Sequence, residues 1–225
     1  MKERILMIET STECCSVALS EGAQIVARRV DETPRRQSAM LAPYIVEILH
    51  EAGISARDLD AVAVSEGPGS YTGLRVGVST AKGICFGAGV PLIGVDTLQI
   101  LACQAEVPAD RIVAMIDARR MEVYAASFDR DGRKCTDTAA VILDADSYGP
   151  DLAAGSVLFI GTGAEKFQAV CQHPNARFQP CYPLAAAMLA PARTALQKKE
   201  FKDVAYFEPF YLKEFVAGVS KHAVL

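Results

Sequence analysis

A chain of 225 residues, 51% of them hydrophobic, is long enough for one large domain or two small ones, each with its own core. Its net charge of −4 argues against a grip on nucleic acid by this chain alone, because neutralising a phosphate backbone takes clustered Lys and Arg. Seven cysteines with no Cys-x-x-Cys pair, and no His at ligand spacing, fit reduced thiols rather than disulfides or a metal site. No segment has the length of a membrane span or of a signal peptide's apolar run, so the protein is expected in the cytoplasm.

Residues 4–8 read as a buried strand that runs into Glu9-Thr10-Ser11-Thr12. Residues 14–19 and 24–30 follow as two more strands around a turn at Glu21-Gly22, which makes an antiparallel meander. The basic cluster Arg28, Arg29, Arg35 and Arg36 is interrupted by Asp31 and Glu32 and reads as a solvated face. After Pro34, Ser38 can cap a helix carrying Met40, Leu41, Tyr44, Ile45, Ile48, Leu49 and Ala52, which Gly53 ends. This apolar arc is wider than packing on one sheet requires. Pro43 removes one backbone hydrogen bond inside it, and a kink is expected there.

The next stretch orders the rest of the chain. Residues 61–64 form a β-branched run, Gly67-Pro68-Gly69 breaks it, and a helix begins near Ser70 or Thr72. Leu74, Val78, Ala81, Cys85 and Ala88 make one apolar stripe of that helix; Gly73, Gly77 and Thr80, continued by Gly83 and Gly87, make a second of small residues. Each interior glycine costs roughly 1 kcal/mol relative to alanine, so the second stripe implies a close backbone approach, either from the chain's own sheet or from a partner helix. A phosphate loop fails here, because from Gly67 its Gly-Lys would fall on Thr72-Gly73; the dinucleotide fingerprint fails because its third glycine would be Thr72. Ser79 and Lys82 match Ser-x-x-Lys without the other elements of an acylase.

Residues 90–95 then read as a strand and 97–104 as a helix. The order β-β-β-α-β-α-β-α belongs to the ribonuclease H-like α/β fold of actin, Hsp70 and sugar kinases (the ASKHA superfamily), which often comes as two similar lobes. A second lobe fits strands at 112–116, 123–128, 139–143 and 157–160, then Gly161-Thr-Gly and a helix at 164–171. An Ala-rich helix at 183–198 and a loose polar tail complete the chain. The expected division is residues 1–106 and 107–225, with the last segment free to return to the first lobe.

Five motifs, Ile8-Glu-Thr-Ser-Thr-Glu, Gly67-Pro-Gly-Ser-Tyr-Thr-Gly-Leu-Arg-Val-Gly, Ala81-Lys-Gly, Ile93-Gly-Val and Asp117-Ala-Arg-Arg-Met-Glu-Val-Tyr, together resemble the TsaB (YeaZ) family, paralogues of TsaD, over most of the chain. The resemblance implies a protein needed to form N6-threonylcarbamoyladenosine beside the tRNA anticodon, acting with TsaD, TsaE and the threonylcarbamoyl-AMP synthase TsaC. TsaD holds a metal through His-x-x-x-His. Thr97 and Leu101 stand at the matching positions here, which implies a paralogue without catalytic residues, metal or cofactor, whose task is to bind and activate TsaD. In the family the first long helix and the glycine-rich helix form the contact, as a heterodimer with TsaD or as a homodimer without it. That assigns Leu41, Tyr44, Ile45, Ile48, Gly73, Val76, Gly77 and Thr80 to the interface, and tRNA is reached only through the complex. Gly77→Leu is accordingly expected to leave the monomer folded and to block association. Glu9, Thr10, Ser11 and Thr12 are the only candidates for a remnant nucleotide site, and an autonomous ATPase or kinase-like enzyme is the competing reading. A protease is the third, without a metal pair or a Ser/Cys–His arrangement at recognisable spacing to support it.

Overall fold

The computed structural model describes residues 2–212; the tail expected to be loose lies outside them. Strands β1 (Arg4–Glu9), β2 (Cys15–Glu21), β3 (Gln24–Asp31), β4 (Ala61–Gly67) and β5 (Leu92–Asp96) form one sheet in the order β3-β2-β1-β4-β5. Strands β6 (Arg111–Asp117), β7 (Glu122–Asp129), β8 (Ala139–Ile142), β9 (Val157–Ile160) and β10 (Ala176–Gln179) form another in the order β10-β9-β6-β7-β8. In each, the first three strands are an antiparallel meander, and a parallel strand is added on the far side of the first. The two orders are one topology used twice, the ribonuclease H-like lobe.

Alternation along the strands sorts the core into layers. Leu6, Ile8, Val17, Leu19, Val62 and Val64 face the long helices α1 (Gln37–Glu51) and α2 (Tyr71–Ala88). Ile5, Met7, Ala18, Ala61, Ala63 and Ile93 face the opposite way, onto a 3₁₀ turn at Ala185–Met188 and α6 (Leu189–Lys198). The chain after the second sheet thus returns to the first. It continues along that sheet's edge, where Lys202 N donates to Leu92 O at 2.8 Å and Phe210 N to Glu66 O at 2.7 Å.

Helix α3 (Thr97–Ala102) joins the lobes. Asp96 caps it, its Oδ1 accepting from Leu98 N at 2.7 Å. The Asp96 Oδ2 pairs with Lys134 of the second lobe at 2.5 Å. Leu98, Leu101 and Ala102 are buried against Ile112, Ala114, Phe128 and Leu158 of the second sheet. The other face of that sheet carries α4 (Gly149–Ala154) and α5 (Ala164–Gln168), whose Leu152 and Phe167 pack on Val113, Val157 and Phe159.

Several local expectations change. Ser38 does not cap α1: the cap position is Arg36 and Ser38 lies inside the helix. The start of α1 is held instead by the Gln37 amide, which donates to Thr12 O at 2.7 Å and Glu13 O at 3.1 Å. The predicted helix at 183–198 is a 3₁₀ turn followed by α6.

Candidate functional site

The turn after β1 is the most enclosed polar segment of the first lobe. Glu9, Thr10 and Ser11 have no exposed surface and Thr12 only 8%. The N-terminal half of α2 lies on it as a roof. Thr10 Oγ1 donates to Gly73 O at 2.8 Å, Ser70 N donates to Ser11 O at 2.6 Å, and Ser11 N donates to Glu9 Oε1 at 2.5 Å. Ser70 is also the N-cap of α2, its side chain accepting from Gly73 N at 3.3 Å. Burial pushes the Glu9 carboxyl up to about 7, and the opposing pull of Ser11 and Ser65 is smaller.

This roof accounts for the first part of the small-residue stripe, Gly73 and Gly77. A Cβ on Gly69 would collide with Ser11 O, one on Gly73 with Thr10 O, and one on Gly77 with Thr10 Oγ1. The backbone approaching the helix is the chain's own turn, so Gly73 and Gly77 are interior residues rather than surface contacts. Leu41, Ile45 and Ile48 are likewise 1%, 6% and 0% exposed and belong to the first core layer, where full burial of such a side chain contributes roughly 1.5–3 kcal/mol. Of the predicted interface, Tyr44, Val76 and Thr80 keep partial exposure. Tyr44 is steadied by a 3.3 Å hydrogen bond to Asp31 Oδ2. The residues expected as a nucleotide remnant, Glu9, Thr10, Ser11 and Thr12, are buried, with Thr10 and Ser11 bonded to the start of α2.

The outward faces of the same helices carry residues that the stripes did not single out. Val46 of α1 is 66% exposed and Phe86 of α2 is 85% exposed, with Gly83 and Gly87 meeting nothing within 4 Å. Between the start of α1 and the first turns of α2 lies a groove of about 450 Å³ walled by Ser38, Thr72, Val76, Ser79 and Thr80. Phe86 could have been found from its phase, since an aromatic residue off the buried stripe of an amphipathic helix has no place in the monomer's core.

Thr97 and Leu101 are fully buried on α3, with Leu101 in the contact between the lobes. Among the described residues no group of three His, Cys, Asp or Glu side chains is placed to hold a metal ion. Cys14 is pushed up to about 12, and Cys15 and Cys85 to about 11, chiefly by burial. These thiols stay protonated near neutral pH, whereas nucleophilic attack needs the thiolate.

The topological counterpart of the roofed turn is the one between β6 and β7, residues 118–121. It is open: Arg119 and Arg120 are exposed and both adopt left-handed backbone, with φ of 73° and 51°. Lys166 of α5 secures it from behind, donating to Asp117 Oδ1 at 2.9 Å, Arg120 O at 2.5 Å and Glu122 O at 3.1 Å.

Two ribonuclease H-like lobes joined through α3, each with its turn after the first strand, define an ASKHA-type protein. The family model described as TsaD, tRNA N6-adenosine threonylcarbamoyltransferase, matches residues 31–221. The tRNA threonylcarbamoyladenosine biosynthesis protein TsaB of Escherichia coli K12 is 43% identical over 130 residues, 57% of this chain and 56% of that protein. Its namesake from Haemophilus influenzae is 40% identical over 130 residues, 56% of this chain and 54% of that protein. The chain thus spans about half the length of these curated relatives. YeaZ from Pseudomonas aeruginosa, a solved structure 31% identical, superimposes with a TM-score of 0.83 over 93% of this chain and 100% of its own. This chain belongs to the TsaB (YeaZ) branch of the TsaD family.

Proposed function

We propose that this chain is the non-catalytic partner of a TsaD-type transferase, binding and activating it in the complex that forms N6-threonylcarbamoyladenosine on the anticodon-adjacent adenosine of tRNAs. TsaE joins the same assembly, and a second copy of the chain takes the same face when the transferase is absent. The observation that carries this reading is the apolar surface turned outward by α1 and α2, above all Phe86 at 85% exposure. A phenylalanine so exposed gains roughly 2 kcal/mol or more when a partner covers it. The groove beside Ser38, Val76 and Thr80 lies on the same pair of helices and offers a recess for partner side chains.

A helper role also fits what became of the reaction centre. Leucine at position 101 cannot ligate a metal, and its side chain is committed to the contact between the lobes. An autonomous ATPase would have to bring phosphates to residues 9–12, which α2 roofs.

The test is sedimentation of the chain with its TsaD-type partner, wild type against Val46→Asp/Phe86→Asp. Both sites are exposed, so the variant folds, and its association weakens by about thirtyfold or more, as roughly 2 kcal/mol of lost burial requires. Normal association of the folded double variant would remove the interface.

A further inference from the structure

We infer that Arg119 and Arg120 are a phosphate contact, through which this chain touches the RNA backbone once it is assembled with the transferase. The inference rests on the function proposed above and deepens it. Both residues occupy backbone that glycine adopts freely and long side chains do not, φ 73° and 51°. The turn itself makes no use of their guanidinium groups. Its shape is set by Arg119 N donating to Asp117 Oδ1 at 2.6 Å, Ala118 N to Glu122 O at 3.0 Å, Asp117 N to Thr162 Oγ1 at 3.0 Å, and the three bonds from Lys166. Among the described residues neither arginine side chain has an ion-pair or hydrogen-bond partner; Arg28, Arg35, Arg57 and Arg130 share that, and what sets Arg119 and Arg120 apart is that they are adjacent, both left-handed and braced by Lys166. The turn therefore holds two guanidinium forks outward on a fixed frame, at the cost of a backbone that glycines would relax.

Charge selects the ligand class. Arg119, Arg120 and Lys166 outnumber Asp117 and Glu122 by one, and Lys166 already offsets Asp117. A single carboxylate on a protein partner would serve one fork. A phosphodiester backbone presents closely spaced anionic oxygens that arginine meets with paired N–H groups, and it can serve both. Two such contacts are too few to hold RNA against the chain's net charge of −4; they add to a grip supplied mainly by the rest of the complex.

The experiment measures tRNA binding by the assembled complex across a salt series, with sedimentation of the same samples to report assembly. The Arg119→Gly/Arg120→Gly variant should melt about 2–4 °C higher, as relief of backbone strain predicts, and should assemble normally. It should bind tRNA about tenfold more weakly near 0.1 M salt, with a log–log salt slope lower by about 2. Arg119→Lys/Arg120→Lys should keep most of the slope. Unchanged tRNA affinity and slope in the glycine variant would overturn the inference. So would a loss of transferase association with tRNA affinity intact, which would make the forks a contact for protein carboxylates. A wild-type chain that never assembles with the transferase has a different signature and removes the proposed function together with this contact.

Discussion

In the first lobe the turn after β1 disappears beneath the 18 residues of α2; in the second, the matching turn after β6 stays at the surface, backed only by the five residues of α5. The strand order is the same, so the difference lies in the helix that comes after the fourth strand. A long helix with glycine at 73 and 77 lies flush on Thr10 and buries the turn. A short helix leaves Lys166 to brace the turn from one side, and the arginines remain free to meet a ligand. One lobe has made its turn part of the core and put its surface on α1 and α2, while the other has kept its turn exposed.

The sharpest way to break this contrast is to lift the roof. Gly77→Leu drives a side chain into Thr10, so it is expected to destabilise the chain by about 3 kcal/mol or more, or to prevent folding, as thermal or denaturant unfolding would read. A folded variant of normal stability would restore the reading of this glycine as a partner contact. A second test concerns the carboxyl beneath the roof. Because Glu9 titrates at about 7 when folded against an ordinary value of 4.5, the folded chain holds the extra proton between these values. Its contribution to stability is therefore full below about pH 4.5 and is lost as pH rises to 7, a change of about 3 kcal/mol. Glu9→Gln, which stays neutral, should flatten that decline when unfolding is measured from pH 5 to 8. The smallest expected effect is on the open side of the same helix. Gly83→Ala and Gly87→Ala meet no neighbour and should each stabilise the isolated chain by about 0.5–1 kcal/mol through helix propensity, measured as a rise in melting temperature.

Much of the architecture is legible from patterning. The meander, β4, α2 and the second run of strands come from β-branched runs and glycine punctuation, and the break at 67–69 places the start of α2 near Ser70 or Thr72, of which Ser70 is the cap. Strand β10 and helix α4 escape such patterns for physical reasons. Ala176–Gln179 has weak alternation and half-buried side chains, and Gly149-Pro opens α4 with residues that read as a turn. The glycine stripe is legible as a demand for close approach, but its partner is not, because Thr10 is brought to Gly73 and Gly77 only by the pairing of β1 with β4. The apolar arc of α1 reads as surplus surface, although one sheet face and the neighbouring α2 absorb Leu41, Ile45 and Ile48. Of the apolar residues outside this packing, Phe86 is legible from its phase off the buried stripe of α2, whereas Val46 stands out only once the core is known.

The central claim is that the chain assists a transferase rather than acting alone. Threonylcarbamoyl transfer to tRNA, reconstituted with TsaC, TsaD, TsaE and this chain and repeated with each omitted, tests it most directly. The account predicts that transfer is lost when either this chain or TsaD is left out, and that this chain alone neither transfers the group nor hydrolyses ATP. Transfer at full rate without this chain, or ATP hydrolysis by this chain in isolation, would contradict it.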